Sequence, residues 1–359
     1  MPVTVPLRTA YTYDLLSAAA ISARVDAALD SAMCDRLVVG AQVRVSLDGR
    51  LIYGRNLSAP APATNTPVTS DSVFRLSCLS RLLVSITALA LVDKDHLALD
   101  EDIRRWLPQF SPVLDDGSAT FISVRQLLSH CAGFASSLAC GTAAVDYQDA
   151  SIATDARLPS TLQQLCMTAL HHRPGSAWGY SMASDVLGAI VAQACGGSLE
   201  NALRHYVIQP LGLQSTGFAP SLLKRPGPVF VNGLPVWPAQ DSMLSNADDY
   251  LRLLEALREG GAPVLSKVMT GEMAAIQTGD LPLPGWPGRG FGLGFTVLRD
   301  PAAAASPESI GTWRMASHCG HSWFVDPSRR LSGVAFTNTA GNTQDTAFAV
   351  LLRNAVYGA

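Results

Sequence analysis

Seven cysteines are scattered through this 359-residue sequence, and one of them has neighbours that give it chemistry. Cys78-Leu79-Ser80-Arg81 opens a run in which Leu79, Leu82, Leu83, Ile86 and Ala90 recur at helical spacing. At the start of a helix the dipole favours an anion, and Arg81, three residues on, shares the face of Cys78. A hydroxyl in that place needs a base, and arginine stays protonated and cannot serve as one. A thiol has a free pKa of about 8.5 that falls beside a fixed cation. The guanidinium then stabilises a thiolate instead of extracting a proton, and the pair reads as a nucleophile with its counter-charge. Metal chemistry finds less support. His130-Cys131 and His318-Cys319, taken with Cys78, lack the ligand spacing of a structural zinc site, and adjacent strand residues face opposite ways. Neither metal nor cofactor is expected.

Elements able to position these residues follow from the pattern. Residues 17–33 read as an amphipathic helix, and 40–53 as a hairpin around Asp48-Gly49. Residues 58–72 form a loop rich in Pro, Ala, Thr and Ser. From 77 to 259 the reading is mostly helical, with helices over 100–107, 124–129, 161–171, 184–195, 199–207 and 246–257. Pro210-Leu211-Gly212, Pro226-Gly227-Pro228 and 282–287 punctuate the loops. Strands return at 291–298, 318–326 and 331–337, and a helix over 346–357 follows. Strands at both ends and helices between them predict an α+β fold, an α/β sandwich. One antiparallel sheet is drawn from the two termini (8–72 and 265–359), with a mainly helical domain (73–264) inserted and a cleft between the two.

Composition narrows the function classes. The chain is 48% hydrophobic and 15% charged, with a net charge of −3. That is ample for a core, and no Lys/Arg block points to nucleic acid or an anionic membrane. The most apolar stretch, 82–92, is about half of the roughly twenty residues that a spanning helix needs. No export signal or anchor is expected, which implies the cytoplasm and free thiols rather than disulfides.

Several segments together resemble the superfamily of serine β-lactamases and penicillin-binding proteins. They are closest in kind to its branch of class C β-lactamases, esterases, D-aminopeptidases and lovastatin-type acyltransferases. The string Val73-Phe74-Arg75-Leu76-Ser77-Cys78-Leu79-Ser80-Arg81 resembles the active-site segment, and 122–134, 174–182, 208–213, 291–295 and 318–327 are similar to later family segments in the same order. The resemblance covers about residues 20 to 357. The departures are specific. The nucleophile motif S-x-x-K reads Cys78-x-x-Arg81, and Y-x-N reads Tyr180-Ser181-Met182. K/H-x-G is kept as His318-Cys319-Gly320. A literal S-x-x-K, Ser221-Leu222-Leu223-Lys224, has no matching context. Gly320-His321-Ser322-Trp323-Phe324 lacks the final glycine of a nucleophile elbow, against an α/β-hydrolase.

By this resemblance Tyr180 is a proton shuttle to the leaving group, and its place near Arg81 predicts a phenol titrating below about 10. The backbone N–H groups of Cys78 and His321 form the oxyanion hole. His318 offers an imidazole near the thiolate, or else orients a loop from its strand. Gly320 and Met182 contact substrate. A thioether cannot donate the hydrogen bond that the family's asparagine gives a substrate amide, so apolar or aromatic acyl groups gain over β-lactams and peptides. Trp178, Trp237, Trp286, Trp313 and Trp323 either line such a pocket or simply pack.

The resulting expectation is an intracellular acyl-transfer enzyme that forms a Cys78 thioester. Its substrate is a small-molecule acyl group, carried by a carrier protein or coenzyme A, in secondary metabolism. A silent binding protein that kept the cleft, a weak esterase or amidase, and chemistry that bypasses Cys78 remain open beside it.

Overall fold

The computed structural model describes residues 17–58, 67–135, 160–219, 229–231, 234–236, 243–317, 319–339 and 347–359. Helix α1 (Ala18–Cys34) begins at Ser17, whose hydroxyl accepts from the N–H of Ala20. Strands β1 (Gly40–Leu47) and β2 (Arg50–Ser58) follow as the expected hairpin. Asp48 and Gly49 turn it at φ 54° and 77°, the left-handed pair that a two-residue hairpin requires.

The middle of the chain carries β3 (Phe74–Arg75), a 3₁₀ turn (Ser77–Leu79) and α2 (Ser80–Val92). Next come α3 (Val124–Leu128), α4 (Ser160–Met167), α5 (Ala183–Ala194), α6 (Leu199–Leu203) and α7 (Gln209–Leu211). Strands β4 (Gly217–Phe218), β5 (Val229–Val231), β6 (Leu234–Val236) and β7 (Met243–Ser245) lead to α8 (Ala247–Arg258) and α9 (Lys267–Ala274). The C-terminal part holds β8 (Arg289–Phe291), β9 (Thr296–Leu298), β10 (Trp313–Ala316), β11 (Ser322–Asp326), β12 (Leu331–Thr337) and α10 (Ala347–Tyr357).

The main sheet is antiparallel with strand order β2-β1-β12-β11-β10-β9-β8, so both ends of the chain build it, as the pattern implied. One face packs on α1 and α10: Val43 and Val45 of β1 and Ala335 of β12 join Ile21, Val25, Leu29, Leu352 and Val356 there. The other face, through Trp323, Val325, Val334 and Phe336, belongs to the larger core that holds α2, α5 and α8. Two buried polar residues of β1 find partners across the core. Gln42 accepts from the N–H of Ala247, and Arg44 pairs with Asp248 at 2.7 Å.

Three local readings are corrected. Residues 291–298 are not one strand, because Gly292 N–H bonds back to the Phe295 carbonyl and splits the segment into β8 and β9. Residues 100–107 hold one 3₁₀ turn (Ile103–Arg105) rather than a helix, since Asp102 caps it and bridges to Ser123. The helix expected over 199–207 gives way to a π turn at Arg204–Ile208. Among the described residues no helix is long and apolar enough to cross a membrane.

Candidate active site

The Cys78 turn is held from three sides. Upstream, β3 pairs with β7, and Leu76 N–H bonds to the Met243 carbonyl at 2.9 Å. From α8 the Tyr250 hydroxyl donates to the Leu79 carbonyl at 3.1 Å. From the sheet, His321 Nε2 meets the Arg75 carbonyl at 2.8 Å, while its Nδ1 accepts from the N–H of Thr337 at 3.1 Å. The two bonds fix the His321 tautomer with its proton on Nε2. Burial lowers its pKa to about 4, so the ring is neutral at pH 7. Strand β10 runs beside the same turn.

Ser77, just before the cysteine, has φ 49°, a left-handed conformation that costs a non-glycine residue about 1–2 kcal/mol. Its hydroxyl lies 3.9 Å from Cys78 Sγ and donates toward it. Cys78 itself is half-buried and stands at the N-terminal approach to α2, where the sequence pattern put it.

Arg81, in the first turn of α2, donates from Nη1 to the Ser181 carbonyl at 2.9 Å, and its guanidinium carbon lies 4.6 Å from the Tyr180 ring centroid. Tyr180 interacts with both Cys78 and Arg81. Burial pushes its phenol well above 10, outweighing the pull of Arg81. This overturns the expected low titration: the guanidinium is near, but the ring is sealed from water and desolvation wins. His130 packs on Tyr180 with ring centroids 4.6 Å apart, and its Nδ1 accepts from the N–H of Ser181 at 3.3 Å. Burial, and then the Arg81 charge, hold the imidazole well below its usual pKa.

Met182 is the N-cap of α5, without a side-chain cap bond. Gly320 has φ 80°, and a Cβ there would sit 2.5 Å from the Thr339 carbonyl oxygen, so the turn between β10 and β11 needs glycine. The structure thus gathers Cys78, Arg81, Tyr180 and the residue before Met182, and it links His321 to the nucleophile turn through Arg75. His318 lies outside the described residues, as do Ser221, Lys224 and Trp237. Trp178, Trp286, Trp313 and Trp323 are all buried in the larger core, which is packing.

The sequence reading weighed His130 only as a metal ligand, and it missed Tyr250 and the side chain of His321. His130 and His321 both stood within the family-like segments, but nothing in their spacing showed which backbone atoms they would bind. Among the described residues, no cluster of three His, Cys, Asp or Glu side chains is arranged to hold a metal.

None of Arg81, Tyr180 and His130 can take a proton from the sulfur at neutral pH. The guanidinium is permanently charged, the phenol is held protonated, and the imidazole acceptor atom is engaged by Ser181. The three groups therefore offer no base for a proton on Cys78.

Comparison with known proteins agrees with this architecture. The Beta-lactamase family model matches residues 23–357. Esterase EstB of Burkholderia gladioli is 35% identical, with 95% of this chain and 96% of that protein covered. The structure of EstCE1, described as a hydrolase with promiscuous acyltransferase activity, superposes with TM-score 0.79 at 31% identity, covering 95% of this chain and 99% of that one. Simvastatin synthase (LovD) from Aspergillus terreus shares the fold, with TM-score 0.73 at 20% identity over 94% and 98% of the two chains. With the fold, the order of segments and these relatives in agreement, the chain belongs to the Beta-lactamase family, whose members here include esterases and acyltransferases.

Proposed function

We propose that the protein is an acyl-transfer enzyme in which a Cys78 thiolate, held by Arg81, forms a thioester acyl-enzyme. The cleft lies between the helical part, residues 73–264, and the sheet part, 8–72 and 265–359. One observation carries the reading: Arg81, held by the Ser181 carbonyl and the Tyr180 ring, is a fixed cation on the same phenol with which Cys78 interacts.

The sulfur lone pair attacks the acyl carbonyl, the S–C bond forms, and the bond from carbon to the leaving group breaks. A thiolate leaving group, as from coenzyme A or a carrier protein, departs without needing a proton. An alkoxide takes one, and the protonated phenol of Tyr180 is suited to give it. The backbone N–H groups of Cys78 and His321 are assigned to the developing oxyanion, with Gly320 and Met182 toward the substrate and His318 on the loop nearby. Exchange of one thioester for another is nearly neutral in energy and suits a thiolate better than amide hydrolysis. The acyltransferase relatives support a biosynthetic role in secondary metabolism, and the free Cys34, Cys78, Cys131, Cys166, Cys195 and Cys319 suit a reducing cytoplasm.

The buried phenol supports a second reading. With no base in the Arg81–Tyr180–His130 cluster, a thiol that stays protonated would leave a silent binding protein that kept the cleft. Intact-protein mass after iodoacetamide at graded pH separates the two. The enzyme reading expects Cys78 to be alkylated before the other cysteines at pH 7, and to form adducts with acyl thioesters but not with penicillin. Labelling of Cys78 no faster than that of Cys34 supports the silent protein.

A further inference from the structure

Tyr180 stands on irregular backbone: residues 177–181 belong to no helix or strand, so no ladder of hydrogen bonds holds the ring in place. His130 meets each residue of the tripeptide around it instead. Its carbonyl accepts from the N–H of Gly179 at 3.0 Å, its ring packs on the Tyr180 ring with centroids 4.6 Å apart, and its Nδ1 accepts from the N–H of Ser181 at 3.3 Å. Ser181 is thereby pinned at both backbone groups, because its carbonyl accepts from Arg81 at 2.9 Å.

The end of α3 shows that a side chain is wanted at this position. The N–H of His130 bonds to the Leu127 carbonyl, and that of Cys131 to the Gln126 carbonyl, the pair of bonds that closes a Schellman turn. The left-handed residue of such a turn is usually glycine. Here it is His130, buried and at φ 56°. A local preference broken in this way marks a place where the side chain serves the site.

We infer that His130 is the positioning residue of Tyr180, gripping Gly179-Tyr180-Ser181 so that the phenol is presented to the leaving group. The inference rests on the acyl-transfer reading above, in which Tyr180 gives a leaving alkoxide its proton.

The acceptor atom, not the bulk of the ring, makes the residue specific. Phe291 of β8 also meets the imidazole, edge-on with centroids 5.3 Å apart, and a ring of another kind could pack there. Only an acceptor at the place of Nδ1 takes the Ser181 N–H, and a charged imidazolium offers none. Burial, and then the Arg81 charge, keep His130 neutral, so the acceptor persists at pH 7.

The test is kcat/KM on ethyl butanoate and S-ethyl butanethioate, which share an acyl group, in variants of the full chain. His130→Phe keeps a ring and removes the acceptor. His130→Asn keeps an acceptor close to the place of Nδ1 and removes the ring. H130F is expected to slow the ester by about tenfold or more and the thioester by less than about threefold, since a thiolate leaves without a proton. H130N is expected to hold the ester within about threefold of wild type. In a Tyr180→Phe background H130F adds no further loss on the ester, because His130 acts through the phenol. An ester rate indifferent to H130F, equal losses on the two donors, or an H130N as slow as H130F overturns the inference and leaves the acyl-transfer reading standing. A wild type that turns over neither donor overturns both. If H130F does not fold, His130→Leu serves in its place with the same outcomes, and its circular dichroism establishes the fold.

Discussion

Arg81 and Tyr180 form a stacked pair, the guanidinium carbon 4.6 Å from the ring centroid, in the place where the family motifs bring lysine and tyrosine together. A lysine there can lose its proton; this arginine cannot. Cys78→Ser should therefore lose acyl transfer by about 100-fold or more, the scale of a missing general base. The double change Cys78→Ser with Arg81→Lys should recover part of it as ester hydrolysis. Turnover of a chromogenic short-chain ester by the three proteins checks this, and a fully active single serine variant contradicts it.

The buried phenol of Tyr180 predicts an absence in the pH–rate profile. Because burial raises its pKa well above 10, the group stays protonated from pH 5 to 9 and adds no inflection there. Tyr180→Phe should slow transfer from alkyl esters by about 100-fold, since the alkoxide loses its proton donor. Transfer from thioesters should change by less than about tenfold. Parallel rates on an ester and a thioester with the same acyl group decide the matter.

His321 couples stability to pH. Its folded pKa is about 4 against a reference of 6.5, so the unfolded chain takes up the proton first. The stability associated with the neutral ring is present above pH 6.5 and is lost as the pH falls toward 4, by about 3 kcal/mol in all. His130, also lowered by burial, works in the same direction. Thermal melts should fall between pH 7 and pH 4.5, and the fall should be smaller in His321→Gln, which removes one of the two imidazoles.

Gly320→Ala should destabilise the protein by about 1–3 kcal/mol, since the new methyl meets the Thr339 carbonyl oxygen at 2.5 Å in a left-handed turn. Differential calorimetry gives the number. A melting temperature unchanged from wild type would show that the turn relaxes freely.

The sheet was readable because its strands alternate and Asp48-Gly49 punctuates the first hairpin; period and turn chemistry are local signals. Cys78 and Arg81 were readable because spacing along a helix is also local. The supports of the site were not. That His321 would bind Arg75, Tyr250 bind Leu79, and His130 bind Ser181 depends on strand and helix pairings more than fifty residues apart in sequence. Tyr180 misled for a related reason: the nearby cation was visible in the motif, whereas the depth of burial that outweighs it arises only on packing.

The pairing of β1 with β12, Ala41 opposite Thr337 through Leu47 opposite Leu331, has a consequence for biogenesis. A growing chain on the ribosome exposes the first hairpin long before its sheet neighbour has been made. Closing so wide a loop is slow, and unpaired edges are vulnerable while they wait. The early β1–β2 ribbon, with its β12-facing edge unpaired and only the first helix to cover Val43 and Val45, is the segment for which chaperone protection during synthesis matters most.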